Sequence, residues 1–339
     1  MMLRWGIAGC GKISSDFARA LKLLPEHKVL GAATSGSSER ASEFLSAAGL
    51  TEAKPHASYN LLFQDPDIDC IYVGNLNHQH VGTVLGALEA GKHVLCEKPM
   101  AVNAKEAQVM VQTARKNKRF LMEAYWSRFF PIYEEVRKAI QAGEIGALRC
   151  IVADFGFATK VENKFRRDGG GALMAIGCYL PMITSMLFWP EKPASIKASA
   201  QLGEHGCDES GAVTLNFSGG RWASLTWSTS VNLPNRLAIV GDKATKEGGS
   251  ATIFVDEQFW CPSAARLPSG LVNKALPESK DSFYYPNGAG FVYEAEAVRQ
   301  AIGQGLLESP LMPLDESIAL AETMDEIRRQ IGLRYEQDE

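Results

Sequence analysis

The chain has no long apolar run, no paired cysteine spacing and no excess of positive charge. Its 35 lysines and arginines stand against 39 aspartates and glutamates, a formal net charge of −4. That balance gives no electrostatic case for nucleic acid or an anionic membrane surface. No stretch approaches the ~18–20 apolar residues that span a bilayer. Met1-Met2-Leu3-Arg4 leads straight into a strand-like segment, which no signal peptide fits. Seven cysteines (Cys10, Cys70, Cys96, Cys150, Cys178, Cys207 and Cys261) are scattered without a Cys-x-x-Cys pair. Reduced thiols in a cytoplasmic protein are expected rather than disulfides or zinc. Neither a Ser/His/Asp triad nor a phosphate-binding lysine loop is evident, and no segment repeats. What remains is an ordinary globular composition, 46% hydrophobic and 22% charged over 339 residues. That length implies two domains, because single cores stop growing near ~250–300 residues.

The first ~125 residues alternate strand and helix, a pattern that predicts a parallel doubly wound sheet. Strands are expected at Leu3 to Ala8, Lys28 to Thr34, Cys70 to Gly74, His93 to Cys96 and Phe120 to Glu123, with helices between them. After Glu123 the pattern changes. Leu148 to Phe157, Ala194 to Leu202, Ala212 to Phe217, Trp222 to Val231 and Leu237 to Val240 read as strands, interrupted mainly by a helix from Ala172 to Phe188. Consecutive strands joined by turns predict a mostly antiparallel sheet. Helices are expected near Tyr293 to Gly303 and Asp315 to Ile331, and Cys261 to Gly290 reads as long loops. The expected architecture is α/β: a Rossmann domain over residues 1–124, then a substrate-binding and dimerisation domain over 125–339.

Gly9-Cys10-Gly11-Lys12-Ile13-Ser14 fits G-x-G-x-x-G with serine in the third slot, and it lies between an apolar strand and a helical pattern. Gly9 permits the tight turn, and Gly11 lets the backbone approach a pyrophosphate at the helix N-terminus. This strand–turn–helix context reads as a dinucleotide site, with Lys12 and Ile13 among its contacts. An NAD site wants an acid at the tip of the second strand, ~20 residues past the glycines. Here that tip reads Ala33-Thr34-Ser35-Gly36-Ser37-Ser38-Glu39-Arg40. Ser35, Ser37 and Arg40 supply hydroxyls and a cation for a 2′-phosphate, which favours NADP over NAD. A solvated serine–glycine turn, with Ser38 capping the next helix, is the alternative.

A second strong signal closes another strand: Cys96-Glu97-Lys98-Pro99-Met100. Pro99 fixes the turn, and Lys98 falls on the ligand-binding edge of the sheet. With the glycine loop, Asp69-Cys70-Ile71-Tyr72-Val73-Gly74-Asn75-Leu76-Asn77-His78-Gln79-His80 and the glycine run from Gly169, the chain resembles the glucose–fructose oxidoreductase/inositol dehydrogenase family over nearly its whole length. It is most similar to the branch acting on trans-dihydrodiols and on aldoses such as D-xylose. Supporting stretches include Ile13-Ser14-Ser15-Asp16-Phe17, Arg128-Phe129-Phe130-Pro131 and Asn287-Gly288-Ala289-Gly290.

The resemblance implies an enzyme that passes a hydride between NADP and a carbinol carbon. A tyrosine exchanges the hydroxyl proton, and a lysine ammonium favours its phenolate. Those positions correspond to Tyr179 and Lys98. Asn75, Asn77 and His80 are implied cofactor contacts. Glu97 either contacts the cofactor or caps the Lys98 turn. Trp126 and Arg128 either border the nicotinamide or pack at a domain junction. Phe155, Trp260 and Tyr285 are implied substrate-wall aromatics, each equally readable as core. No metal is expected, because no carboxylate or cysteine cluster accompanies His78 and His80. The family also implies a homodimer through the C-terminal sheet.

One departure matters. The family carries an aspartate four residues before the tyrosine, and this chain has Ala175. Asp168 cannot simply replace it, seven residues back across three glycines. Three readings follow: catalysis by Lys98 and Tyr179 alone, a different polyol substrate, or a weakly catalytic NADP-binding sensor.

Overall fold

The computed structural model describes residues 1–159, 168–246 and 248–339. The chain divides into two compact units. The first gathers Met1–Ala101, Lys105–Trp126 and Leu276–Ile318, and the second gathers Val102–Ala104, Ser127–Ala275 and Ala319–Glu339.

In the first unit six strands form one sheet: β1 (Leu3–Ala8), β2 (His27–Ala33), β3 (Lys54–His56), β4 (Cys70–Val73), β5 (His93–Glu97) and β6 (Leu121–Ala124). Their order is β3-β2-β1-β4-β5-β6, and every neighbouring pair runs parallel. The order reverses between β1 and β4, which makes their carboxyl ends the switch point where such sheets take ligands. Strands covered on both faces read as continuous apolar runs, and all four residues of β4 are buried. The helices that follow the strands are α1 (Lys12–Leu21), α2 (Ser38–Ala47), α3 (Tyr59–Gln64), α4 (His80–Glu89) and α5 (Ala104–Asn117).

Aromatic packing organises this core. The Phe17 ring lies flat on Tyr72, with centroids 4.0 Å apart, and meets Trp5 edge-on at 5.2 Å. The Trp5 indole donates to His27 Nδ1 at 3.0 Å. Helix α6 (Pro131–Gln141) and α7 (Tyr179–Phe188) belong to the second unit, whereas α8 (Phe291–Gly303) belongs to the first. Phe291 of α8 packs edge-on against Phe17 at 6.1 Å and flat on Trp126 at 4.1 Å. These contacts explain why Leu276–Ile318 clusters with the glycine-loop sheet, although a single cut at residue 124 is the simpler expectation.

The second unit is built on eight strands: β7 (Leu148–Gly156), β8 (Ser195–Leu202), β9 (Asp208–Asn216), β10 (Trp222–Ser228), β11 (Leu237–Ala244), β12 (Ser250–Val255), β13 (Ala264–Leu267) and β14 (Gly270–Asn273). Their order is β14-β13-β12-β11-β7-β10-β9-β8. Pairing is antiparallel except between β10 and β7. Ile151, Ala153 and Phe155 of β7 share a buried face with Ala223, Leu225 and Trp227 of β10. The opposite face leaves Val152 and Trp222 exposed. The β13–β14 hairpin lies where loops are expected, because strands of four residues, with β14 largely exposed, carry too little alternation to read. The last helix, α9, spans Leu314–Ile331.

Phe17 is fully buried between aromatic partners, so Phe17→Ala removes a large volume that the site cannot refill. The expected loss is about 3–5 kcal/mol of unfolding free energy, read as a lowered urea midpoint with unchanged slope.

Candidate active site

At the end of β1 the backbone turns through Gly9 with φ +98°. A methyl there would lie 2.6 Å from the Asn75 amide nitrogen, so only glycine fits. At Gly11 a methyl would meet nothing nearer than the Gly74 carbonyl at 3.9 Å, so the side above this residue is open. Gly11 is the N-cap of α1 and supplies no side-chain cap. The first amides of that helix are therefore available to an anion. An open glycine edge and an uncapped helix N-terminus at the switch point fit a dinucleotide pyrophosphate, with Lys12 and Ile13 in the first turn. Ser14 fits the third slot by turning its hydroxyl to the Gly74 carbonyl at 3.4 Å.

Beyond β2, the Thr34 hydroxyl accepts from the Gly36 amide at 2.9 Å and the Ser37 amide at 3.3 Å. Ser37, not Ser38, caps α2, accepting from the Arg40 amide at 3.4 Å. The Arg40 guanidinium lies over Gly36, whose added methyl would be 3.4 Å from Nη1. Tyr59 faces Asn75 and Ser35, whose polar groups oppose the upward pull of burial on its phenol. The Asn75 amide nitrogen donates to the Thr83 hydroxyl at 2.8 Å. Asn77 opens the single turn that leads into α4.

The Lys98 turn is held from several sides. Glu97 is buried, and its Oε1 accepts from the Tyr72 hydroxyl at 2.6 Å while Oε2 accepts from the Lys98 amide at 3.2 Å. Burial pushes the Glu97 carboxyl up, against the opposing pull of Lys98 and Tyr72. Glu97 thus accepts from the turn that carries Lys98. His80 is fully buried, with Nδ1 3.0 Å from the Pro99 carbonyl and Nε2 3.3 Å from the Asn75 carbonyl. Burial lowers its pKa to about 4, so the ring is neutral and bridges two loops of the site. The Met100 amide donates to Glu123 at 2.8 Å. Trp126 is buried on Phe291 in this unit.

The second unit holds the other candidates. Tyr179 begins α7, one residue beyond a single π-helical turn over Leu173–Gly177. Its ring meets Phe155 edge-on at 5.6 Å, and Phe155 stacks on Trp260 at 4.4 Å. Phe157 adds an edge contact to Trp260 at 5.3 Å. The structure thus brings Tyr179, Phe155 and Trp260 together. Arg128 is buried in the same unit, its carbonyl accepting from Arg137 at 3.4 Å. Tyr285 belongs to the first unit. Its amide and that of Tyr284 donate to the two oxygens of Asp16, each at 2.9 Å. Lys98 belongs to the first unit and Tyr179 to the second.

Sequence reasoning missed several supporting groups. Asp16 follows two serines and Tyr72 lies within an apolar run, and no local spacing marks either as a hydrogen-bond partner of a distant residue. Glu294 on α8 is fully buried, its carboxyl raised well above the usual range by burial and by the charge on Glu97. Asp208 opens β9 as a buried carboxylate, where a strand start is ordinarily depleted of acids. That depletion is the one available signal. Among the described residues no cluster of three His, Cys, Asp or Glu side chains could hold a metal, and no helix is long and apolar enough to cross a membrane.

Residues 3–125 match the family described as "Oxidoreductase family, NAD-binding Rossmann fold", and residues 133–247 match the GFO/IDH/MocA C-terminal domain. The chain is 41% identical over 339 residues to trans-1,2-dihydrobenzene-1,2-diol dehydrogenase of Xenopus tropicalis, covering 99% of this chain and 100% of the relative. The enzyme of that name from Sus scrofa is 39% identical over 343 residues, covering 100% and 99%. Among solved structures, a 3-ketoreductase from Actinomadura kijaniata in complex with NADP and TDP-benzene shares the fold, with TM-score 0.80 at 24% identity over 98% of each chain. An aldose–aldose oxidoreductase from Caulobacter crescentus complexed with glycerol has TM-score 0.81 at 23% identity over 97% of each chain.

The two glycines predict different failures. Gly9→Ala meets the Asn75 backbone and is expected to lower the melting temperature. Gly11→Ala is expected to keep the fold and fill the open edge, so NAD(P)H affinity by titration calorimetry should fall on the order of tenfold or more, a ~1.4 kcal/mol effect.

Proposed function

The chain belongs to the glucose–fructose oxidoreductase/inositol dehydrogenase (GFO/IDH/MocA) family of oxidoreductases, and from that premise we propose that it is an NADP-dependent dehydrogenase acting on a trans-dihydrodiol, or on an aldose such as D-xylose. The observation that carries the substrate class is the stacked Phe155–Trp260 pair at 4.4 Å beside the Tyr179 ring. An apolar aromatic wall suits the ring of a cyclohexadiene diol better than an open polyol. The curated relatives named for a benzene dihydrodiol point the same way.

Gly9, Gly11, Lys12 and Ile13 would hold the pyrophosphate, and Ser35, Ser37 and Arg40 would meet the 2′-phosphate. Asn75, Asn77, Trp126 and Arg128 complete the cofactor site, with His80 and Glu97 fixing its loops. When bound, NADP would supply the hydride acceptor or donor through its nicotinamide. Tyr179 Oη exchanges the proton of the substrate hydroxyl, and the Lys98 ammonium stabilises the phenolate that results. Phe155, Trp260 and Tyr285 border the substrate and exclude water. For a dihydrodiol, the ketone product tautomerises to a catechol. The exposed face carrying Val152 and Trp222 is the surface for a homodimer. The scattered cysteines suit the reducing cytoplasm.

Ala175 favours a second reading. It removes a carboxylate one turn from Tyr179, and a protein so altered could bind NADP as a sensor with weak turnover. Following NADPH absorbance over a panel of dihydrodiols, aldoses and polyols separates the readings. Turnover fastest on a cyclic dihydrodiol or aldose is expected, whereas tight NADPH binding without turnover on any of them would favour the sensor. Arg40→Ala should raise KM for NADP by about 10–100-fold, the range for a charged hydrogen bond, while KM for NAD stays near its starting value.

A further inference from the structure

The glycine run from Gly169 to Gly171 and the buried Asp208 are not accounted for by cofactor or substrate contacts. Gly169 and Gly171 have φ of +110° and +112°. A methyl on Gly171 would stand 2.3 Å from Asp208 Oδ1, so this glycine is demanded both by its conformation and by the carboxylate against it. Asp208 is 0% exposed. Its Oδ2 accepts from the Leu173 amide at 2.7 Å and from the Trp227 indole nitrogen at 2.7 Å. Leu173 is the first residue of the π-helical turn that ends at Gly177. The Trp227 ring is pressed against that other end, since a methyl on Gly177 would come within 3.1 Å of its Cγ. The Tyr335 hydroxyl secures the same segment by donating to the Gly170 carbonyl.

One carboxylate therefore grips both ends of the turn, one directly and one through an indole. A π turn admits one residue more than an α turn, closed here by the Cys178 amide on the Leu173 carbonyl at 2.6 Å. It sets the rotation at which α7 begins, and Tyr179 is the first residue of α7. We propose that Asp208 is a positioning residue for Tyr179, holding the π turn so that the phenol is presented against Phe155 at one fixed rotation. This rests on the reading of Tyr179 as the proton-exchanging group. In a chain with Ala175 in place of the neighbouring aspartate, the orientation of Tyr179 depends on the turn beneath it. Burial raises the Asp208 carboxyl, and the Trp227 and Leu173 bonds oppose that rise.

The test compares kcat in single and double variants of the full chain, with NADPH affinity measured alongside. Tyr179→Phe is expected to lower kcat about 10²–10⁴-fold. Asp208→Ala is expected to lower it about 10–100-fold, the scale of a misplacement near 1 Å, with NADPH affinity unchanged. Asp208→Asn keeps an acceptor for both donors and should stay within about threefold of the parent kcat. In a Tyr179→Phe background, Asp208→Ala should cost little further kcat, because both changes act through one group. Trp227→Phe, which keeps the ring but deletes one donor, serves the same comparison if Asp208→Ala does not fold. A full multiplicative loss in the double variant would overturn the positioning role while leaving Tyr179 catalytic. Parent-like turnover by Tyr179→Phe would overturn the reading of Tyr179 and this inference with it.

Discussion

Glu97 is a carboxylate taken out of water at the end of β5, and it stays ordered there because donors from two directions satisfy it. The Tyr72 hydroxyl reaches it from β4 at 2.6 Å, and the Lys98 amide closes on it at 3.2 Å. Tyr72 in turn lies flat under Phe17, the buried aromatic of α1, which Gly11 precedes as N-cap. A single run of contacts thus ties the uncapped helix N-terminus to the lysine turn across the switch point. His80 adds a second tie between the Asn75 and Pro99 carbonyls. Buried polar networks of this kind are rigid when satisfied and expensive when broken.

The second unit reaches a similar end by different means. Its sheet presents Phe155 and Trp227 side by side on one face, in register across the parallel β7–β10 pair. Phe155 sets the aromatic surroundings of Tyr179, and Trp227 links Asp208 to the turn that introduces Tyr179. The exceptional parallel pairing in a mostly antiparallel sheet is what makes these neighbours. Each unit therefore holds its candidate chemistry with a buried carboxylate that accepts from both a backbone amide and an aromatic side chain.

Much of the frame was legible from the chain alone. The parallel strands announce themselves as short apolar runs between glycines and amphipathic helices, and the glycine loop and Glu97-Lys98-Pro99 are local patterns. The edges were less legible. β3, β13 and β14 have only three or four residues each, and they exist because a neighbouring strand offers hydrogen bonds. The assignment of Leu276–Ile318 was hidden too, since Phe291 looks like any helical core residue until it is found against Phe17 and Trp126. Asp16 of α1 holds the Tyr285 backbone, a contact that no local pattern announces.

By itself the sequence determined the class of fold, the dinucleotide loop, the lysine turn and the tyrosine helix, because each depends on residues adjacent in the chain or one helical turn apart. Tertiary structure alone decided which groups support them. Asp16 meets Tyr285 across 269 positions, and Tyr72 meets Glu97 across 25. Asp208 reaches Leu173 across 35. Hydrogen bonds between distant buried groups leave no periodic trace in a sequence, since their partners are chosen by packing rather than by spacing.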